Sequence, residues 1–399
     1  KGKISEIIKP SPDRVTPICG LAKVCGGCQW QHVDYPVQLK AKKQIVQENL
    51  KKIGGLDIPV LDVIPSPMIK EYRCKIQYPI GQTKVSKRFL AGYYKQGTHE
   101  IINIKHCPIQ PGIIDEITEF VRIEAKELGL TAYNEKTHKG LIRHVVYRVS
   151  SSEKEILLIF VINSNEAPDE LNILANEVMK KFDRIAGVLV NINTAKTNVI
   201  MGHETRLLKG KDHITETLEG RKYKISAGSF FQVNPQSAVN IFNTVQNIIE
   251  ERTERPKILD AYAGVGSFAI WLKDIASEIK AIEEYPVAVA DAKENIKLNK
   301  ADNIEMIEGD AQKVLEDMVK SREQFDVIIL DPPRKGCTKE ALDAVVGLNS
   351  KFIVYVSCNP ATLARDLKIL NENGFIPEFA QPVDMFCHTY HVECVTLMS

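Results

Sequence analysis

Between residues 257 and 334 the chain repeats one local pattern, a short apolar run that ends in an acidic residue and leads into a turn and a helix. Lys257-Ile258-Leu259-Asp260 runs into Ala261-Tyr262-Ala263-Gly264-Val265-Gly266-Ser267-Phe268 and then a helix through Ala269-Ile270-Trp271-Leu272. Ala281-Ile282-Glu283 closes a second run 23 residues after Asp260, Gly309-Asp310 closes a third, and Val327-Ile328-Ile329-Leu330-Asp331 closes a fourth. Buried strands alternating with helices fold as a doubly wound, mainly parallel α/β sheet. Ligands of such sheets bind beyond the carboxyl ends of the strands, which is where the four acids stand.

Gly264 and Gly266 let the backbone approach a ligand closely, and the turn opens onto a helix N-terminus. A dinucleotide fingerprint has a third glycine where this chain has Ala269. Alanine is permitted there, so spacing alone leaves a nicotinamide cofactor open. The ordered set Asp260, Glu283, Asp310 and Asp331 looks like an S-adenosylmethionine pocket, with Glu283 placed for ribose hydroxyls. Any one of these acids is as readily a helix N-cap or a solvated loop residue.

Further along, the apolar run Phe352-Ile353-Val354-Tyr355-Val356 delivers Ser357-Cys358-Asn359-Pro360 to a strand end, and Glu393 opens another strand in His391-Val392-Glu393-Cys394-Val395. A thiol that adds and departs, beside a carboxylate base, is what methyl transfer to a pyrimidine carbon requires. A cysteine at a strand end is by itself more often core filler. Asp331-Pro332-Pro333-Arg334 belongs to methyltransferases that act on an extruded planar base. Enzymes that methylate amino groups usually follow that motif with an aromatic residue, and Arg334 weakens that reading.

With Phe230-Phe231-Gln232-Val233-Asn234-Pro235 added, the chain from about Arg14 to its end resembles the RNA 5-methyluridine methyltransferase family, and within it the 23S ribosomal RNA uracil-5 branch. The resemblance implies that Gln232, Tyr262, Glu283 and Asp331 serve the cofactor or base pocket, with Cys358 as nucleophile and Glu393 as base. Asp260, Gly264, Gly266 and Asp310 complete the expected cofactor site, and Phe230, Asn234, Arg334 and Arg143 are candidates for contact with RNA. The resembling branch holds a [4Fe-4S] cluster on three close cysteines and one distant one, which Cys19, Cys25, Cys28 and Cys107 match. The Cys25-x-x-Cys28 pair is equally compatible with zinc. Cys74 competes as fourth ligand but reads as part of a strand; Cys337, Cys387 and Cys394 are most simply packing residues.

The family normally begins with a small RNA-binding barrel of the TRAM type. Residues 1–17 look like its last strand only, Gly2 to Ile8, and because the chain starts at Lys1 the rest is expected to have preceded it. Residues 18–30 and 64–228 are assigned to a mixed α+β central domain holding the cluster, and residues 31–63 and 229–399 to the catalytic domain. A helix is expected over 36–53, with Val37, Ala41, Ile45, Leu50 and Ile53 on one side and Gly54-Gly55 ending it.

The net charge is only +1, yet residues 1–60 carry 10 Lys and Arg against 5 Asp and Glu, which suggests an RNA-facing side or a solvated helix face at Lys40, Lys42, Lys43, Lys51 and Lys52. Lys84 to Lys95 interleaves cations with aromatic rings, and Leu141-Ile142-Arg143-His144 adds to it, a composition suited to phosphates and unpaired bases. No apolar run approaches the roughly 18 residues of a membrane span. Nine cysteines, an odd number, and no signal peptide point to the cytoplasm. Two rival readings are cytosine-5 RNA methylation, with Cys337 as a second thiol, and an iron-sulfur RNA-binding protein without activity.

Overall fold

A computed structural model describes residues 6–399. Two large sheets organise the chain. In the first half, helix α1 (Tyr35–Asn49) precedes strands β1 (Lys75–Gln82) and β2 (Phe89–Ala91), helix α2 (Gly112–Glu127), and strands β3 (Ile142–Val149) and β4 (Ile156–Ile162). Helix α3 (Asp169–Lys181) then crosses over to β5 (Ile185–Ile192) and β6 (Glu204–Gly210). These strands form a six-stranded sheet in the order β2-β1-β3-β4-β5-β6, antiparallel except where α3 makes β4 and β5 parallel. A hairpin, β7 (His213–Leu218) and β8 (Arg221–Ser226), stands apart from it.

The second half alternates as the acid-ended runs require. It comprises α4 (Pro235–Glu250), β9 (Lys257–Asp260), α5 (Ser267–Leu272), β10 (Glu278–Glu283), α6 (Pro286–Leu298) and β11 (Ile304–Glu308). There follow α7 (Ala311–Lys320), β12 (Val327–Leu330), α8 (Lys339–Gly347), β13 (Phe352–Ser357), α9 (Pro360–Glu372), β14 (Pro377–Val383) and β15 (Glu393–Met398). The order β11-β10-β9-β12-β13-β15-β14 reverses direction at β9, and only β15 runs antiparallel to its neighbours. Parallel strands β9, β10, β12 and β13 therefore present their carboxyl ends on one edge. Asn234, Asp310, Thr338 and Asn359 cap the helices that leave that edge, each accepting a backbone N–H in the first turn.

One continuous apolar core joins Val146, Leu157 and Val161 of the six-stranded sheet, through Ile214 and Tyr223 of the hairpin, to Trp271 and Ile329. On the opposite face of the second sheet, Val46, Leu50 and Leu56 from the N-terminal segment pack with Leu259, Ile328 and Leu363.

Helix α1 runs into a π-helical turn, Leu50–Gly54, closed by Gly55 at φ +67°. Its buried residues are Gln38, Lys42 and Val46, so the buried face is rotated from the expected Val37, Ala41 and Ile45 stripe. Lys42, expected on a solvated or RNA-facing side, is wholly buried. The strand expected over Gly2 to Ile8 lies largely outside the described residues, and Glu6 to Ile8 is not strand.

Candidate active site

Strand register brings the thiol and the carboxylate together. Antiparallel β13 and β15 pair Ser357 with Cys394, so the next step of the ladder sets Cys358 opposite Glu393. Asn359, the cap of α9, donates to the Arg334 carbonyl at 3.1 Å, and the Thr362 hydroxyl reaches the same oxygen at 3.3 Å. These bonds tie the loop after β12 to the loop after β13. Cys358, Glu393, Asp331 and Arg334 consequently line one cavity of about 630 Å³, shared with Gln232, Tyr262, Gly264, Glu283, Asp310 and Phe230.

Burial governs the charges there. It lifts Glu393 from the usual carboxylate range to about 7, with the Arg334 guanidinium pulling the other way. Burial, with the Glu393 charge second, holds Asp331 well above its ordinary value. Cys358 is raised to about 11, first by burial and then by the two carboxyls, while the Arg334 charge opposes this and favours the thiolate. A carboxyl poised near neutrality beside a nucleophile is suited to proton transfer.

The cofactor half of the cavity follows from the glycine turn. Gly264 has φ +56°, and a Cβ there would project into open space, leaving room that a ligand can occupy. The Glu283 carboxylate accepts the Gly264 and Tyr285 amides at 2.9 and 2.8 Å, fixing the turn from the neighbouring strand end. Asp310 lines the cavity while it caps α7. Gly266, at φ +81°, makes the tight turn itself, and a Cβ there would abut Ile270 and Ala292.

Several expected contacts take other roles. Asp260 is fully buried behind the turn, with neither carboxylate oxygen hydrogen-bonded, and burial followed by the Asp331 charge pushes it up to about 8; it does not line the cavity. Asn234 is also buried: it caps α4 and donates to Ser66 Oγ and the Met385 carbonyl, so its side chain is taken up within the fold and does not line the cavity. Arg143 spends its guanidinium on the carbonyls of Asn193, Ala195 and Thr197, with its head stacked on Tyr133, and offers RNA no free fork. Cys337 is buried against the Tyr355 hydroxyl and does not line the cavity. Phe386, which no sequence pattern singled out, lines it.

Cys19, Cys25, Cys28 and Cys107 surround one small cavity, while Cys74 lines a separate pocket. The Leu21 and Gly27 amides donate to the Cys19 and Cys25 sulfurs, both at 3.4 Å. Burial pushes Cys28 up to about 11 and Cys107 to about 12. Among the described residues, no three or more His, Cys, Asp or Glu groups are gathered so as to hold a metal ion. A larger groove, about 1220 Å³, lies at the β1–β3 side of the six-stranded sheet, lined by Lys84, Lys87, Tyr94, Arg143 and His144 among others. Of the rings expected to stack on bases, Phe89 is buried in the core, whereas Tyr94 is partly open and stacks on His99.

A sheet reversing at β9, one antiparallel strand near its edge and a glycine-turn cavity define a Rossmann-like, S-adenosylmethionine-dependent methyltransferase. The sequence profile of the tRNA (uracil-5-)-methyltransferase family matches residues 34–399, and the chain belongs to that family. An uncharacterized RNA methyltransferase of Bacillus cereus is 40% identical over 400 residues, covering 100% of this chain and 86% of its own length. A Clostridium tetani relative with the same description is 36% identical, covering 100% and 86%. The crystal structure of Pyrococcus abyssi tRNA (uracil-54, C5)-methyltransferase in complex with S-adenosyl-L-homocysteine superposes with a TM-score of 0.76 at 28% identity, covering 99% of this chain and 88% of that one. The protein is an S-adenosylmethionine-dependent RNA (uracil-5-)-methyltransferase.

Proposed function

We propose that this enzyme methylates carbon-5 of a uridine in 23S ribosomal RNA, with Cys358 as nucleophile, Glu393 as base and Asp331 reading the edge of the base. The observation that carries the chemistry is the β13–β15 register, which sets Cys358 opposite Glu393 in one cavity with Asp331 and Arg334.

The target uridine must leave its stack, because carbon-5 and carbon-6 are inaccessible within a helix. Phe230, 60% exposed, offers a ring at the cavity for the extruded nucleotide. The Cys358 thiol gives up its proton to solvent water, Sγ bonds carbon-6, and the displaced π electrons move onto O4 and carbon-5. Asp331, whose carboxyl burial and then Glu393 shift toward the protonated form, would donate to O4 and accept from N3–H, so it would stabilise the developing oxyanion. S-adenosylmethionine, when bound by the Gly264 turn and Glu283, supplies an electrophilic methyl to carbon-5. Glu393 then removes the carbon-5 proton, the carbon-5 to carbon-6 double bond re-forms, and Cys358 departs as thiolate. A thiol serves both addition and departure, which a serine hydroxyl would not.

The groove at the β1–β3 side of the six-stranded sheet is the proposed track for flanking RNA, with Lys84 and Lys87 for phosphates and Tyr94 for a base. The four cysteines are proposed as ligands of a structural [4Fe-4S] cluster, supported by their common cavity and the amide donors to two sulfurs. A cubane leaves its ligand sulfurs further apart than a single ion does, which suits thiols that surround a cavity without converging. None of the nine cysteines is joined in a disulfide, in keeping with a cytoplasmic enzyme.

A second reading, uridine methylation of transfer RNA, is favoured by the Pyrococcus abyssi neighbour. Incubating the enzyme with 23S and transfer RNA transcripts and digesting to nucleosides decides between them. The proposal expects 5-methyluridine in 23S RNA, none with Cys358→Ala, and a covalent complex of the wild type with 5-fluorouridine RNA. Product in transfer RNA alone would overturn the ribosomal assignment, and turnover by Cys358→Ala would overturn the mechanism.

A further inference from the structure

Helix α1 turns polar side chains inward. A buried lysine and glutamine on a core-facing stripe forgo the burial energy that apolar residues would give there, so the partners they meet matter. Lys42 is 0% exposed, as is the Asp384 carboxylate it meets at 2.6 Å. Its ammonium also donates to the Phe386 carbonyl at 3.0 Å. The Tyr35 hydroxyl takes the second Asp384 oxygen at 3.0 Å. Four residues before Lys42, the Gln38 carboxamide oxygen accepts the His388 amide at 3.0 Å. Every one of these partners lies in the connection 384–392 between β14 and β15.

That connection does two things at the reaction cavity. It places the Phe386 ring in the wall shared with Cys358, and it delivers the chain to Glu393. Replacing a buried ion pair by apolar groups is often neutral or stabilising, so stability alone does not account for Lys42. A bond from its ammonium to the backbone of a cavity residue does.

We propose that Lys42 is a positioning residue for methyl transfer, holding the 384–392 connection through Asp384 and the Phe386 carbonyl so that Phe386 and Glu393 meet the target base in register with Cys358. The inference rests on the roles given above to Cys358 and Glu393. It adds an element from outside the seven-stranded sheet, since α1 is separated from that connection by more than 300 residues of chain.

The test is the double variant Lys42→Met/Asp384→Asn, which removes both buried charges and keeps an acceptor for the Tyr35 hydroxyl. Wild type, double variant and Cys358→Ala are compared for Tm, S-adenosylmethionine affinity, KM for RNA and kcat. Misplacement by about 1 Å far from the chemistry can lower rates about a hundredfold. The expectation is a kcat reduced at least tenfold, with Tm, cofactor affinity and RNA KM close to wild type. A smaller change in kcat would overturn the inference. So would a parallel collapse of Tm and cofactor binding, which would make Lys42 a stability contact only. Turnover by Cys358→Ala would instead defeat the underlying mechanism, separating the two failures.

Discussion

Glu393→Gln separates the chemical role of this residue from its structural one. Glu393 is 4% exposed, and burial carries its carboxyl from 4.5 to about 7. At 1.36 kcal/mol per pH unit, holding the charged form in the folded protein costs about 3 kcal/mol. Below pH 4.5 the folded and unfolded chains are both protonated and no cost arises. Between 4.5 and about 7 the unfolded chain releases its proton first, so stability falls as pH rises, and above 7 the whole cost is present. Glutamine carries no charge at any of these pH values. The variant should match wild type near pH 4.5 and melt about 4 °C higher at pH 8, taking an unfolding entropy of about 2 cal/mol/K per residue over the chain. Calorimetry across that range measures the difference. Turnover should fail, because addition and methyl transfer remain possible but the carbon-5 proton stays in place. RNA should then remain bonded to Cys358 and run as a slow band on a denaturing gel. Near-normal turnover with no trapped band, or a lower Tm at pH 8, would refute the assignment of Glu393 as a buried base.

Cys28→Ser should release iron and the visible absorbance of anaerobically purified protein, and speed hydrogen exchange over residues 19–31; a colourless wild type with stoichiometric zinc would exclude the cluster. Gly264→Val puts a branched side chain into open cavity space at φ +56°, so S-adenosylmethionine affinity should fall at least about tenfold, or 1.4 kcal/mol, by titration calorimetry. Unchanged affinity would remove the glycine turn from the cofactor site.

The acid-ended strands of the second half were legible because their signals are local: an apolar run, a glycine turn and a helix start all fall within a dozen residues. The placement of Cys358 just past β13 and of Glu393 at the start of β15 was legible for the same reason. Asn234 misled because an Asn-Pro pair opening a helix is equally a cap with proline at the first helical position, and this is what it proved to be. Arg143 misled because a charge within a strand looks available to a ligand, while its carbonyl partners 50 or more residues away cannot be seen from its neighbours. Lys42 and Gln38 were invisible on the same grounds. Polar residues at helical spacing ordinarily mark the wet side, and only the distant 384–392 connection makes them the dry one. Phe386 is an isolated aromatic residue in that connection, with no motif to announce it.

The apolar core running without interruption from Val161 and Leu189 of one sheet, through Tyr223, to Trp271 of α5 and Ile329 of the other sheet bears on how substrate reaches the thiol. Enzymes that clamp their substrates by hinge bending need a seam at which two bodies can part, and parting these sheets would strip large side chains of their neighbours at about 25 cal/mol for every Å² wetted. On the mechanism proposed above, unstacking and swivelling of the target base would then be left to the RNA, and loops already short of base pairs are expected to yield most easily.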